Sequence, residues 1–153
     1  MADAPQFGDA PDAPVPDRPA AFAVIERGGR IAVVSCERIR RGRVLDLPGG
    51  GIDPGESPAE AAVRECGEEA GLVVELDADP FVLADHYFLH NDGAVRNTRG
   101  RFFEGRMKAL EPTLKIEDDH ELVWMSPQEA VKRLDRESHV FAVQTWLRLR
   151  AGA

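Results

Sequence analysis

Gly49-Gly50-Gly51-Ile52-Asp53-Pro54-Gly55-Glu56-Ser57-Pro58-Ala59-Glu60-Ala61-Ala62-Val63-Arg64-Glu65-Cys66-Gly67-Glu68-Glu69-Ala70-Gly71-Leu72 is the stretch that decides the fold. It opens on a glycine run after Pro48, which marks a loop whose backbone something approaches closely. Ser57 is an N-cap, Pro58 suits the first helical position, and Glu60 completes a capping box. Gly71 suits the left-handed residue that ends a helix. The stretch therefore predicts one helix over residues 57–70. At about 100° per residue, Glu68 falls about −60° and Glu69 about +40° from Glu65, so three carboxylates share one flank. Ala59, Ala62, Val63, Cys66 and Ala70 form an adjacent apolar face, and the helix packs on that side.

Like charges three and four residues apart cost a helix a few tenths of a kcal/mol per pair. A divalent cation removes that cost. Mg²⁺ prefers hard oxygen ligands and keeps several of its waters. A solvated acidic flank is the plainer reading of such a helix. The neighbours favour the metal: Glu56 precedes the N-cap, where the helix dipole favours an anion, and Arg64 is placed to orient the carboxylates. The glycine loop brings bare backbone groups to the same helix end.

Gly50, Glu56 and the run Arg64-Glu65-Cys66-Gly67-Glu68-Glu69-Ala70-Gly71-Leu72 resemble the Nudix box. Seven fixed positions at about 7% background each would recur by chance in such a chain roughly once in a million. The resemblance implies a Nudix-type α/β/α sandwich with a mixed β-sheet. It implies a diphosphatase that uses magnesium, or manganese in its place, to cut a phosphoric anhydride in a nucleotide-like substrate. It also carries roles over to matching positions. Glu65 and Glu69 correspond to the principal metal ligands, and Glu68 to a further ligand or the water-activating base. The Gly49 carbonyl corresponds to a metal contact, Arg64 to the orienting arginine and Glu56 to its supporting carboxylate. Cys66 stands where the family has a large aliphatic residue. It falls on the packing face and is read as core, since the surrounding charges disfavour a thiolate.

Outward from the box, the strand and helix signals alternate. Phe22 to Ile25 and Ile31 to Val34 read as a hairpin around Gly28-Gly29. Val44 to Leu47, Leu72 to Leu76, Phe81 to Leu89, Arg101 to Met107 and Leu122 to Met125 read as strands. Ser126 and Glu129 form a second capping box, and Val140 to Leu149 a C-terminal amphipathic helix. Strands interleaved with helices point to an α/β sandwich on a mixed sheet. Residues 20–153 are expected to be a single domain. Residues 1–19 are expected to be a flexible arm rich in Ala, Asp and Pro, with Pro5, Pro11, Pro14, Pro16 and Pro19 excluding a helix or a central strand. An arm lying across a second subunit of a homodimer is the alternative.

Specificity is expected outside the box, on loops. Arg99 and Arg101, beside Arg96 at a loop entering a strand, are candidate phosphate contacts, with a solvated strand edge as the other reading. Arg38, Arg40, Arg41 and Arg43 carry the same two readings. Tyr87 resembles the tyrosine of the diadenosine polyphosphate hydrolases, displaced by a residue or two, and is a candidate base contact. Asp118, Asp119, His120 and Glu121 precede a strand, in a region where some relatives of the box place a general base; Glu121 is taken as a substrate contact.

The chain has 153 residues, 43% hydrophobic and 30% charged, and a formal net charge of -8. Such a balance predicts a soluble domain and disfavours nucleic acid or an anionic membrane as partner. Two cysteines make no disulfide framework, and no apolar run is long enough for a membrane span, so a cytoplasmic protein is expected. The leading expectation is hydrolysis of a nucleoside triphosphate or a related nucleoside diphosphate derivative. A dinucleoside polyphosphate or nucleotide sugar is the second substrate class, and a non-catalytic nucleotide sensor is the reading of another kind. The retained box carboxylates count against the sensor.

Overall fold

The structure, a computed structural model, describes residues 3 to 152. Met1 and Ala2 of the expected arm and Ala153 at the end of the expected domain lie outside the described residues. The elements in chain order are β1 (Gln6–Phe7), β2 (Asp17–Arg27), β3 (Arg30–Arg38), β4 (Gly42–Asp46), β5 (Gly49–Gly51), α1 (Pro58–Ala70), β6 (Leu72–Leu76), β7 (Val82–Leu89), β8 (Val95–Leu110), β9 (Glu121–Met125), α2 (Pro127–Arg133) and α3 (Glu137–Ala151). The strands join in one mixed sheet. Its main path runs β1-β7-β8-β2-β3-β4, with β5 on β2, β6 on β8 and β9 on β3. The β2–β8 and β1–β7 pairs are parallel and the others antiparallel.

The sheet is covered on both faces, and β2 shows why. Side chains alternate along a strand. Ala20, Phe22 and Val24 join a core with Ala142, Val143 and Trp146 of α3 and with Ala130 of α2. Ala21 meets Ala61 and Ala62 of α1, and Ala23 and Ile25 meet its Cys66 and Ala70. The alanines on the α1 side let that helix lie close to the sheet. A strand buried on both faces reads as a continuous apolar run, as Ala20 to Ile25 does.

Helix α1 forms as its sequence predicts. Ser57 Oγ accepts the Glu60 amide at 3.1 Å, and Glu60 returns a carboxylate to the Ser57 amide at 2.9 Å. Gly71 closes the helix at φ 67°. The hairpin between β2 and β3 turns on Gly28 and Gly29, both at positive φ. At α2 only half of the second box is made: Ser126 accepts the Glu129 amide, while the Glu129 carboxylate goes to Arg133.

Three local expectations are corrected. Pro19 stands inside β2, opposite Arg99 of β8. Its carbonyl accepts the Ile52 amide at 3.0 Å, so Pro19 holds the chain at the end of β5 although it has no N–H to return a bond. The glycine run forms strand β5 and pairs with β2 through Ala20, Ala21 and Phe22. Finally, β8 starts at Val95, so Arg96, Arg99 and Arg101 lie within a strand. Arg99 is tolerated there because Asp85 of β7 and Asp17 of β2 flank it at 2.9 and 3.0 Å. In the arm, Gln6 exchanges side-chain hydrogen bonds with Asn97 at 2.9 and 3.1 Å, and Phe7 packs against Phe141.

Candidate active site

The acidic flank of α1 faces β5 and the N-terminal part of β2. Arg64 is its hub. Its Nε and Nη2 donate to the two oxygens of Glu56 at 2.8 and 3.0 Å. Its Nη1 donates to Glu65 at 3.0 Å and to Glu68 at 2.9 Å, and Nη2 also reaches the Gly51 carbonyl at 3.0 Å. The planar fork of the guanidinium thus ties helix, preceding loop and glycine strand together. Arg64 and a hydrogen bond from the Asp53 amide hold the Glu56 carboxyl down at about 2, so Glu56 stays an anion and keeps Arg64 in place.

Glu69 is placed differently. Its Oε1 accepts the Gly49 amide at 2.9 Å, and its Oε2 lies 3.5 Å from His120 Nε2. Burial pushes the Glu69 carboxyl well up, and Glu65 adds to the shift by repulsion; burial likewise pushes Glu65 up, against the pull of Arg64. Glu65 is thus held by the Arg64 fork, while Glu69 is held by a backbone amide beside His120. Space for them depends on glycine: a Cβ at Gly50 would come within 3.0 Å of the Glu65 carboxylate, and one at Gly49 within 2.2 Å of the Ala21 carbonyl.

Glu65, Glu69, Gly49 and Gly50 border a cavity of about 200 Å³. Its other walls bring in residues far apart in sequence: Arg18 and Phe22 of β2, Arg38 of β3, His90, Glu117, His120 and Arg136. Ile116 and Glu117 are fixed to α1, because both of their amides donate to the Glu68 carbonyl, at 2.9 and 3.1 Å. Among the described residues no three His, Cys, Asp or Glu side chains are gathered into a metal cage. Arg64 lies between Glu56, Glu65 and Glu68 and draws them toward itself. Mg²⁺ does not need such a cage: it binds through one or two carboxylates with waters and substrate phosphates. Glu65 and Glu69 fit that demand in donor type and in charge.

Of the residues singled out in the sequence, the structure brings together Glu56, Arg64, Glu65, Glu68, Glu69 and Gly49. It does not bring the expected substrate contacts there. Arg99 and Arg101 line a separate cavity with Asp3, Ala4, Leu83 and Asp85, and Arg99 is engaged by two aspartates. Tyr87 borders cavities beneath the N-terminal arm. Glu121 opens β9 opposite Ser35 and is exposed. From the same loop, Glu117 and His120 reach the cavity instead. Sequence reasoning missed Arg18, His90, Glu117 and Arg136. No local pattern marks them: tertiary packing carries Arg18, His90 and Arg136 to the cavity, and backbone bonds to Glu68 carry Glu117 there. Cys66 is fully buried on the packing face, and burial pushes its thiol up, as a core cysteine requires.

Residues 16–145 match a family model described as NUDIX domain. An octanoyltransferase from Myxococcus xanthus is 45% identical over 67 residues, which is 42% of this chain and 19% of that protein. The CTP pyrophosphohydrolase of Escherichia coli (strain K12) is 28% identical over 133 residues, 84% of this chain and 90% of that protein. The chain thus spans about a fifth of the one relative and nine tenths of the other. A solved MutT protein from Methanosarcina mazei Go1 has the same fold, with a TM-score of 0.72 at 20% identity over 91% of this chain and 99% of that one.

Proposed function

The chain belongs to the Nudix family, and we propose that it hydrolyses a diphosphate linkage in a nucleoside triphosphate with the help of Mg²⁺. The observation that carries this reading is the pair of half-buried carboxylates, Glu65 and Glu69, against the glycine strand in a polar cavity. The triphosphate is favoured by similarity to a CTP pyrophosphohydrolase along nine tenths of that relative's length.

In this reading Glu65 and Glu69 hold the metal, with the Gly49 carbonyl beside them. Bound there, a divalent cation neutralises phosphate charge and lowers the pKa of a bound water. Arg64 keeps Glu65 and Glu68 in register, and Glu56 keeps Arg64 there. Glu68, the third carboxylate of the flank, completes the ligand set or takes a proton from the attacking water. The water oxygen bonds to phosphorus, the bridging P–O bond breaks, and the leaving phosphate or pyrophosphate departs with that electron pair. No helix among the described residues is long and apolar enough to cross a membrane.

The test is a phosphate- and nucleotide-release screen with Mg²⁺ over nucleoside triphosphates, dinucleoside polyphosphates and nucleotide sugars. Release of a nucleoside monophosphate or diphosphate from at least one triphosphate is expected. Cleavage confined to the other two panels would move the substrate class. Nucleotide binding without any release would identify a sensor and end the hydrolase reading.

A further inference from the structure

Apart from the two residues of β1, strand β7 ends the main path of the sheet. An edge of this kind presents backbone N–H and C=O groups with which a strand of another chain can pair, and long apolar edges are protected in folded proteins. At the other end of the path β4 is five residues long and carries Arg43, and a short, charged edge protects itself. β7 has neither safeguard. Its eight residues, Val82-Leu83-Ala84-Asp85-His86-Tyr87-Phe88-Leu89, include no Lys, Arg or Pro, and Leu89 is 45% exposed. Asp85, its one acid, is engaged by Arg99 at 2.9 Å. Aromatic and branched residues with little charge form the kind of segment that pairs strand to strand between chains.

The N-terminal arm occupies this edge. Gln6 and Phe7 pair in parallel with Asp85 and His86, and the Asp85 amide donates to the Pro5 carbonyl at 2.9 Å. Asp85 thus turns its backbone outward, and by the alternation of the antiparallel β7–β8 ladder Leu83, Tyr87 and Leu89 do so as well. Few groups fasten the arm. Gln6 exchanges side-chain bonds with Asn97, and the Phe7 and Phe141 ring centroids lie 5.4 Å apart. Gly8 then lets the chain turn off the edge: it stands at φ 84°, and a Cβ there would lie 2.5 Å from the Tyr87 carbonyl oxygen. Two paired residues therefore cover an edge of eight.

We propose that residues 5–8 are a strap that reserves the β7 edge, and that its release opens an interaction surface for a second copy of this chain, β7 pairing antiparallel with β7 about a twofold axis. A second copy fits because one edge meets itself in such a dimer, so every outward N–H and C=O finds its counterpart. Pairing centred on Tyr87 sets Asp85 opposite Leu89, so no like charges face each other across the axis. The surface lies on the sheet edge, away from the carboxylates of α1, and does not depend on the reaction the chain performs.

The experiment compares the full chain with a variant carrying Phe7→Ser and Gly8→Val together, by hydrogen exchange, by light scattering over a range of concentrations and by melting curves. Phe7→Ser removes the contact with Phe141, and Gly8→Val drives a side chain into the Tyr87 backbone. In dilute solution the Asp85 amide of the variant should exchange faster than in the wild type. Its mass should climb with concentration to about twice the wild-type value, while the wild type keeps one mass throughout. Adding Tyr87→Lys places like charges at the axis and should return the mass to the wild-type value. Should the paired substitutions abolish cooperative melting, Phe7→Ser alone carries the same test, with a smaller rise in mass expected. A folded variant that keeps the wild-type mass at every concentration overturns the proposal. So does unchanged exchange at Asp85, or a gain in mass that survives Tyr87→Lys.

Discussion

His139 joins the helical layer to the glycine segment. It is fully buried, edge-on to Phe22 and Phe102, and its Nδ1 accepts the Leu47 amide at 3.1 Å. Leu47 precedes Pro48-Gly49, so this bond fixes where the glycine strand begins. The acceptor role requires a neutral ring. Burial pulls its pKa down to about 3, with Arg136 adding repulsion and Asp46, 4.0 Å away, opposing. Burial also pulls His86 and His90 down to about 4. A histidine whose folded pKa lies below its unfolded 6.5 stabilises the fold fully above that pH and loses the contribution as pH falls toward the folded value. Melting temperature should therefore decline on acidification from pH 6.5 toward 4. His139 alone contributes on the order of 2 kcal/mol to this loss at pH 5. A melting series from pH 8 to pH 4.5 checks this, and a flat profile would contradict the neutral, buried assignment.

Helix α1 is the element on which the site is built, and it was almost wholly legible in the sequence. Its caps, acidic flank and packing face depend on residues within fourteen positions, and such local rules carry over directly to the folded chain. Gly67 is the exception: it has no role on the acidic side. In the structure it faces Leu114, whose Cδ1 would lie 3.5 Å from an added Cβ, an ordinary contact. Gly67→Ala should therefore stabilise the protein by about 0.5–1 kcal/mol through helix propensity, with activity unchanged. Urea unfolding of the variant measures this, and destabilisation would mean that the Leu114 segment cannot adjust. The opposite wall was not legible. The sequence places Arg18 in a proline-rich arm because Pro19 argues against a central strand, whereas the folded sheet takes Pro19 into β2 opposite Arg99. Arg136 and Glu117 are brought in by packing and by backbone bonds to Glu68, which no spacing reveals. Arg99 and Arg101 were plausible as loop arginines. In the folded sheet Arg99 is held by Asp17 and Asp85, and both lie over another cavity.

Across the whole molecule, the sheet separates two helical layers, and the cavity opens where they meet. Helix α1 supplies carboxylates from one side of β2. Arg136, from the α2–α3 side, supplies a cation from the other, with Arg38 of β3 and Arg18 of β2 between them. In the proposed function Glu69 is half-buried to hold a cation and not to support the fold. Glu69→Gln keeps an oxygen for the Gly49 amide and removes the charge, so the metal-free protein should melt at the same temperature or slightly higher. With Mg²⁺ the effect should reverse. The wild type gains stability from the bound ion, by about 2.7 kcal/mol at a hundred times Kd, and the variant gains less. Hydrolysis of the nucleotide that the screen identifies should fall by orders of magnitude. The most direct measurement is the melting temperature of both proteins with and without Mg²⁺, beside the hydrolysis rate. A smaller Mg²⁺ shift and a collapsed rate in a folded Glu69→Gln protein is the predicted result; an unchanged shift with full activity would contradict the metal site.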